Sequence, residues 1–146
     1  MEKTPLKRGT GLKRRPSKNR ATIRKLDSML SELVKSRGCQ ARGMFDVKCS
    51  SQLHAHHISR RRHYVNRWLP ENMLCLCANH HRHIHDHPAD ELALVAHVYG
   101  EGHYDMLINR EYVIKWDKDY EAVEARLKQA ANNTKQHTKG DQNGKH

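Results

Sequence analysis

Residues 56–85 read HHISRRRHYVNRWLPENMLCLCANHHRHIH, and the reading of the whole chain turns on how these histidines are shared out. A histidine pair opens the segment, Asn72 stands 15 residues after the second of the pair, and histidines crowd the closing turn. Nine of the chain's 13 histidines lie between His54 and His87. Imidazole is the commonest side-chain metal ligand and the usual proton acceptor near neutral pH, so the density points to metal-dependent chemistry. A helix puts residues four apart on one face, which lets His81 and His85 grip one cation. His83 and His87 have the same spacing, and helical geometry alone leaves both pairs open. A third ligand is expected from His56-His57. Adjacent strand residues point to opposite faces, so one of the two can bind metal while its neighbour faces a substrate.

Outward from this segment, the pattern alternates between short apolar runs and helical periodicity. Ile23, Leu26, Leu30, Leu33 and Val34 recur at three- and four-residue spacing, which predicts a helix over residues 22–38 that stops at Gly38. Residues 39–58 carry Cys39 and Cys49 with a turn expected at Gly43 and Asp46. A pair of short antiparallel strands is expected there, the second running through Gln52 to Ile58. Residues 73–77 are a short apolar run, and Asn79 is the expected N-cap of a short helix through His85. Leu92, Val95, Ala96 and Tyr99 predict an amphipathic helix ending at Gly100. Two further apolar clusters predict helices near residues 102–110 and 117–131, and residues 132–146 are expected to be disordered for want of any apolar side chain. Trp68 is expected to pack the loop, while His54, His63, His83 and His87 are expected to be solvated or to stand behind the ligands.

The totals narrow the function classes. A chain of 146 residues with 36% hydrophobic residues and a single Phe has a small core, and small cores rely on metal, disulfides or a partner. The formal net charge of +11 favours a polyanionic partner, because neutralising phosphates releases condensed counterions. Residues 1–21 are expected to be a disordered basic arm laid along nucleic-acid phosphates. The first 20 residues hold eight Lys/Arg against one Glu, a surplus of seven within the +11. No apolar run resembling a secretory signal or a membrane span is visible. The expected setting is therefore the reducing cytoplasm, where clustered Cys and His indicate metal more often than disulfides.

The order HH, then Asn, then H-x3-H, here His56-His57, Asn72 and His81-x3-His85, resembles the HNH endonuclease superfamily. Its intervals of 15 and nine residues match those of the family's bacterial toxin nucleases. The resemblance covers residues 39–85 and implies an α+β fold built on a small ββα-metal module spanning residues 39–88, with the helix of residues 22–38 before it and helical support over residues 89–131 after it. It implies that His56, His81 and His85 hold a divalent cation (Mg2+, Mn2+, Ni2+ or Zn2+), that His57 activates water, and that Asn72 fixes the loop and orients His57; in some members the residue at this position contacts the metal. Many members also carry a structural zinc. Cys77-Ala-Asn-His80 fits its second ligand pair, and Cys39 and Cys49 would complete a Cys3His set, although their nine-residue gap departs from the usual C-x2-C. Cys75 is left as a small buried hydrophobe.

A narrower similarity concerns phage-encoded HNH proteins, including the recombination nucleases of the NinG/Rap kind. The basic arm, RKLDSMLSELVKSRG, HISRR and NRWLPEN are similar to that group in order and spacing, and the setting implied is the cytoplasm of a host cell. Arg60, Arg61, Arg62 and Arg67 flank the site in sequence and are the expected contacts to a DNA backbone, where phosphate contacts position without specifying sequence. Two function classes follow. One is a metal-dependent DNA endonuclease; the other is a non-catalytic zinc-stabilised nucleic-acid-binding module, which has no need of a base at His57.

Overall fold

A computed structural model describes residues 18–140. Helix α1 (Lys18–Lys35) is followed by strand β1 (Leu53–His57), a short helix α2 (Tyr64–Arg67), a 3-10 turn (Pro70–Asn72) and strand β2 (Met73–Cys77). Helices α3 (Ala78–Asp86), α4 (Pro88–Tyr99), α5 (His103–Val113) and α6 (Tyr120–Gly140) complete the chain. The architecture is α+β: one antiparallel hairpin carries helices on both faces. Among the described residues no helix is long and apolar enough to cross a membrane.

Strand alternation divides the core in two. In the register His56 pairs with Leu74 and His57 with Met73. Opposed residues share a face, so Leu53, Ala55, Met73 and Cys75 turn toward α1, where they join Leu26, Leu30, Val34, Trp68, Val123 and Leu127. Leu74 and Leu76 turn the other way and meet Ile84 of α3, Leu94 and Val95 of α4, and Leu107 of α5. All five residues of β2 are buried. A strand covered on both faces reads as a continuous apolar run, which is why MLCLC carries no visible alternation. Burying a side chain such as Leu30 or Leu74 stabilises the fold by about 1.5–3 kcal/mol each.

Several expectations are corrected. The partner of β1 is the 73–77 run and not a strand before residue 52. Between Gly38 and Cys49 the chain makes turns instead. Phe45 and Asp46 take φ of 58° and 52°, left-handed values that cost roughly 1–2 kcal/mol per non-glycine residue and that forbid a straight strand. Gln40 bonds to the sheet through both backbone and side chain. Its backbone N–H donates to the Cys75 carbonyl at 2.8 Å, and its side-chain oxygen accepts from the Cys75 N–H at 2.7 Å. Cys77, not Asn79, occupies the N-cap of α3, and the Asn79 amide donates outward to the Lys48 carbonyl at 2.9 Å.

The helix limits also move. α1 begins at Lys18, so residues 18–21 of the expected arm are helical, and the rest of the arm lies outside the described residues. α5 runs on to Val113, past the expected residue 110. α6 starts at Tyr120 and continues to Gly140, through residues expected to be disordered; residues 141–146 lie outside the description. Propagation of an established helix adds one hydrogen bond per residue and needs no core contact. The polar segment after Ala131 holds no proline and no glycine before Gly140 to stop it.

Candidate metal centres

The turn from β2 into α3 places two histidines, adjacent in sequence, in different clusters. His80 faces back toward the turns of residues 39–49, and its Nδ1 lies 3.6 Å from Cys39 Sγ, 3.6 Å from Cys49 Sγ and 3.1 Å from Cys77 Sγ. A tetrahedral zinc bonded at about 2.3 Å to sulfur and about 2.1 Å to nitrogen sets an S···N edge of roughly 3.6 Å. The four side chains therefore have the spacing of a closed Cys3His site. Its surroundings also fit. His80 Nε2–H donates to the Met44 carbonyl at 3.3 Å, which leaves Nδ1 with its lone pair toward the cysteines. The Cys77 backbone N–H donates to Cys39 Sγ at 3.3 Å.

Thiol electrostatics favour a cation there. Burial pushes the Cys49 thiol up to about 11, and Cys39 and Cys77 beside it push the same way. Burial also raises the Cys77 thiol, but hydrogen bonds from His80 and Ser50 outweigh it and hold the group down at about 5. A divalent cation bound among the sulfurs would offset what opposes ionisation of Cys49. Cys75 stands apart. It is fully buried against α1, burial raises its thiol, and it has no place in the cluster.

The second cluster lies one residue further along α3. His81 and His85 rise from the helix and His56 from β1, and one ligand atom of each lies within 4.8 Å of the others. Their rings meet edge-on, with centroids 4.6 Å apart for His81–His85, 5.2 Å for His56–His81 and 5.4 Å for His56–His85. Burial, followed by the charges of His56, His85 and His54, lowers His81 to about 4. The neutral ring keeps its lone pair, which is the state a metal needs. Glu91, in the first turn of α4, sets Oε1 2.8 Å from His56 Nε2. A carboxylate in that position orients a metal-bound histidine and raises its basicity.

His57 points to the other face of the strand, yet it lines the same cleft as His56 and His85, a space of about 470 Å³. A second cleft of about 400 Å³ on the α1 side is lined by His57 and His81. His57 thus stands on the ridge between the two. Its Nε2–H donates to the Arg67 carbonyl at 3.1 Å; a carbonyl only accepts, so the lone pair is on Nδ1, where it accepts from the Arg61 Nε–H at 3.4 Å. Burial lowers His57 to about 4, against a raising contribution from the Arg67 carbonyl and a lowering one from the Arg61 charge.

Asn72 is fully buried and all its polar atoms serve the loop. Oδ1 accepts from the Ser59 N–H at 2.7 Å, and Nδ2 donates to the carbonyls of Ser59 and Asn66, both at 3.1 Å. It pins the segment between β1 and β2; the direct hold on His57 comes from Arg67. The guanidinium of Arg67 is itself engaged in the fold, bonded to both Asp27 oxygens at 3.0 and 2.7 Å and to the Arg61 carbonyl at 3.0 Å. Arg60, Arg61 and Arg62 are exposed at the cleft mouth. Trp68 is buried and donates Nε1–H to Asp27 at 2.9 Å.

Three parts of this arrangement escaped sequence reading: Glu91 on His56, Asp27 behind Arg67, and Glu111, which bonds the Ser59 hydroxyl and stands 3.1 Å from His63 Nδ1. Each carboxylate comes from a helix far away in sequence, and its spacing to its partner follows only from the packing of α1, α4 and α5. Asp90 and Glu91 in the first turn of α4 were the one available signal, because acids there complement a helix N-terminus and have a second reason to be present only once a cationic or metal-binding partner is known.

Comparison with protein-family models, with curated proteins and with solved structures returns no match to this chain. The description that stands is a small α+β domain whose Cys/His clusters are placed to hold metal ions.

Proposed function

We propose that the chain is a metal-dependent endonuclease of the HNH kind that hydrolyses DNA phosphodiester bonds. One observation carries this reading: His56, His81 and His85 converge within 4.8 Å beside a fourth histidine, His57, that lines the same cleft and takes no part in the cluster. A purely structural metal module has no use for that fourth ring. A divalent cation held by His56, His81 and His85 supplies Lewis-acid stabilisation to the phosphoryl and leaving oxygens. His57 is the general base. Its neutral ring accepts a proton from water at Nδ1 while the Arg67 carbonyl holds Nε2–H, once the Arg61 Nε–H that Nδ1 accepts at 3.4 Å turns to a DNA phosphate. An anionic phosphate in the cleft raises the proton affinity of His57 from its low starting value toward the working pH. Asn72 keeps the loop in register with β1, and Arg60, Arg61 and Arg62 hold the DNA backbone at the cleft mouth.

Zinc at Cys39, Cys49, Cys77 and His80 is the structural part of the same reading, tying the turns before β1 to the start of α3. The test is plasmid nicking or cleavage by purified protein with Mg2+, Mn2+ or Ni2+. His57→Ala should lower the rate roughly 100- to 10,000-fold, the usual contribution of a positioned base, with DNA binding near normal. Binding without cleavage across metals and across duplex, junction and single-stranded DNA would instead identify a non-catalytic nucleic-acid-binding module.

A further inference from the structure

The cleft that holds His56, His57 and His85 is also lined by Arg62, His63 and Glu111, and these three side chains form one chain of polar contacts. Glu111 rises from α5 and is nearly buried, with 10% of its side chain accessible. Its Oε1 accepts from the Ser59 hydroxyl, and its Oε2 stands 3.1 Å from His63 Nδ1. On the other side of the ring, the Arg62 Nε–H donates to His63 Nε2 at 3.1 Å. A carboxylate only accepts and a guanidinium only donates. The neutral ring therefore has one arrangement that satisfies both: a proton on Nδ1 for Glu111 and a lone pair on Nε2 for Arg62. Among the described residues the two terminal nitrogens of Arg62 have no hydrogen-bond partner.

The neighbouring arginines are committed differently. Arg67 is bound to Asp27, while Arg61 donates to His57 Nδ1 and lines the cleft on the α1 side. Arg60 lines the same cleft as Arg62, and among the described residues no side chain holds its guanidinium. Tying the loop after β1 to α5 does not require His63: Ser59 bonds Glu111, and Asn66 Nδ2 donates to the Leu107 carbonyl at 2.8 Å. His63 adds a link from that anchored carboxylate out to the cleft mouth. We propose that His63, oriented by Glu111, is a positioning residue that aims the Arg62 guanidinium at the non-bridging oxygens of a DNA phosphate in the cleft. The inference rests on the nucleic-acid reading of this cleft given above. A guanidinium held at Nε keeps both terminal nitrogens for a two-pronged contact with phosphate, and less side-chain freedom is lost when the DNA arrives.

The test is a double-mutant cycle on DNA affinity, measured on the full chain by fluorescence anisotropy with a short duplex and no added catalytic metal. R62A should weaken binding roughly 10-fold, the scale of a charge-assisted hydrogen bond. H63F, which keeps a ring of similar size, should weaken it about three-fold because Arg62 is no longer held in place. In the R62A background H63F should bring no further loss, whereas combined with R60A its loss should multiply. An effect of H63F that is the same with and without Arg62 overturns the proposal. Should H63F fail to fold by circular dichroism, nitrogen NMR of the wild type decides, at a pH where the ring is neutral. His63 should carry its proton on Nδ1, and the Arg62 Nε–H should exchange with solvent more slowly than that of Arg60. A proton on Nε2, or equal exchange at the two arginines, also overturns it. Wild-type protein that binds DNA without cleaving it sinks the nuclease reading alone; wild-type protein that binds no DNA sinks both.

Discussion

His57 and Arg67 are joined through main chain and not through charge: the imidazole Nε2–H donates to the Arg67 carbonyl, 3.1 Å away, while the Arg67 guanidinium reaches back to Asp27 on α1. The orientation of His57 therefore depends on a carboxylate it does not touch. Asp27→Ala removes both Arg67 bonds and leaves Trp68 Nε1–H unpartnered. The pair is partly exposed, with side-chain accessibilities of 13% and 24%. The loss should therefore be about 2 kcal/mol rather than the larger figure for a fully buried pair. DNA cleavage should fall as well, and Asp27→Asn should recover part of both losses. Urea unfolding and plasmid cleavage measured together check this; an Asp27→Ala protein of unchanged stability and activity counts against it.

Asn72 presents the opposite case, a neutral side chain whose removal costs more than a surface ion pair. Three bonds to backbone groups of a buried loop depend on it. Asn72→Ala should destabilise the chain by about 2–4 kcal/mol, because the Ser59 N–H and the carbonyls it served are left without partners. Asn72→Asp should not rescue the fold, since a carboxylate cannot donate to the Ser59 and Asn66 carbonyls. Thermal unfolding of the two variants provides the comparison.

The four cysteines should separate cleanly in a metal assay. Cys77→Ser should abolish tight zinc binding and with it cooperative unfolding, because binding free energy at a structural zinc is also folding free energy. Cys75→Ala should keep its full zinc content and lose only packing against α1, about 1 kcal/mol for one small buried group. Zinc loss in the Cys75 variant would contradict the ligand set of Cys39, Cys49, Cys77 and His80.

Acid should weaken the chain through the histidines. Burial, the leading cause for both, lowers His57 and His81 from 6.5 to about 4 in the folded state. Between those two values the unfolded chain binds protons that the folded chain refuses. Stability from these groups is thus intact above pH 6.5 and declines as the pH falls toward about 4. His57→Leu removes one of the titrating rings. Its stability relative to wild type should therefore improve as the pH is lowered through this window. A difference that stays flat with pH, or an NMR midpoint for His57 near 6.5, would sink the prediction.

The readable parts of the sequence were those with local period. Leu26, Leu30 and Val34 announced α1, whereas the face read for α4 was only partly right: Val95 is buried, but Leu92 is exposed and the fully buried Leu94 was not in the pattern. The histidine spacing put His81 and His85 on one face, and His83 and His87 on another, without choosing between the pairs. The hairpin was harder, because β2 is buried on both sides and MLCLC has no alternation to distinguish it from a core helix turn. The Cys39–Cys49 interval carried too little information to announce two positive φ values at Phe45 and Asp46 between them. Glu91, Asp27 and Glu111 were invisible for a different reason: each meets its partner through tertiary packing, and no one-dimensional spacing encodes such a contact.

His80 and His81 occupy consecutive positions and serve different clusters, which makes α3 a phase device. Each residue advances the helix by 100°, so a single insertion or deletion between Cys77 and His81 would turn one imidazole away from the cysteines and swing the other out of reach of His56. The length of this junction is therefore frozen. By contrast, the exposed segment around Arg60 to Arg62 and the connection between α5 and α6 have no such angular constraint. Natural length variation among descendants of this fold should accumulate in those two places and stop short at the four residues that start α3.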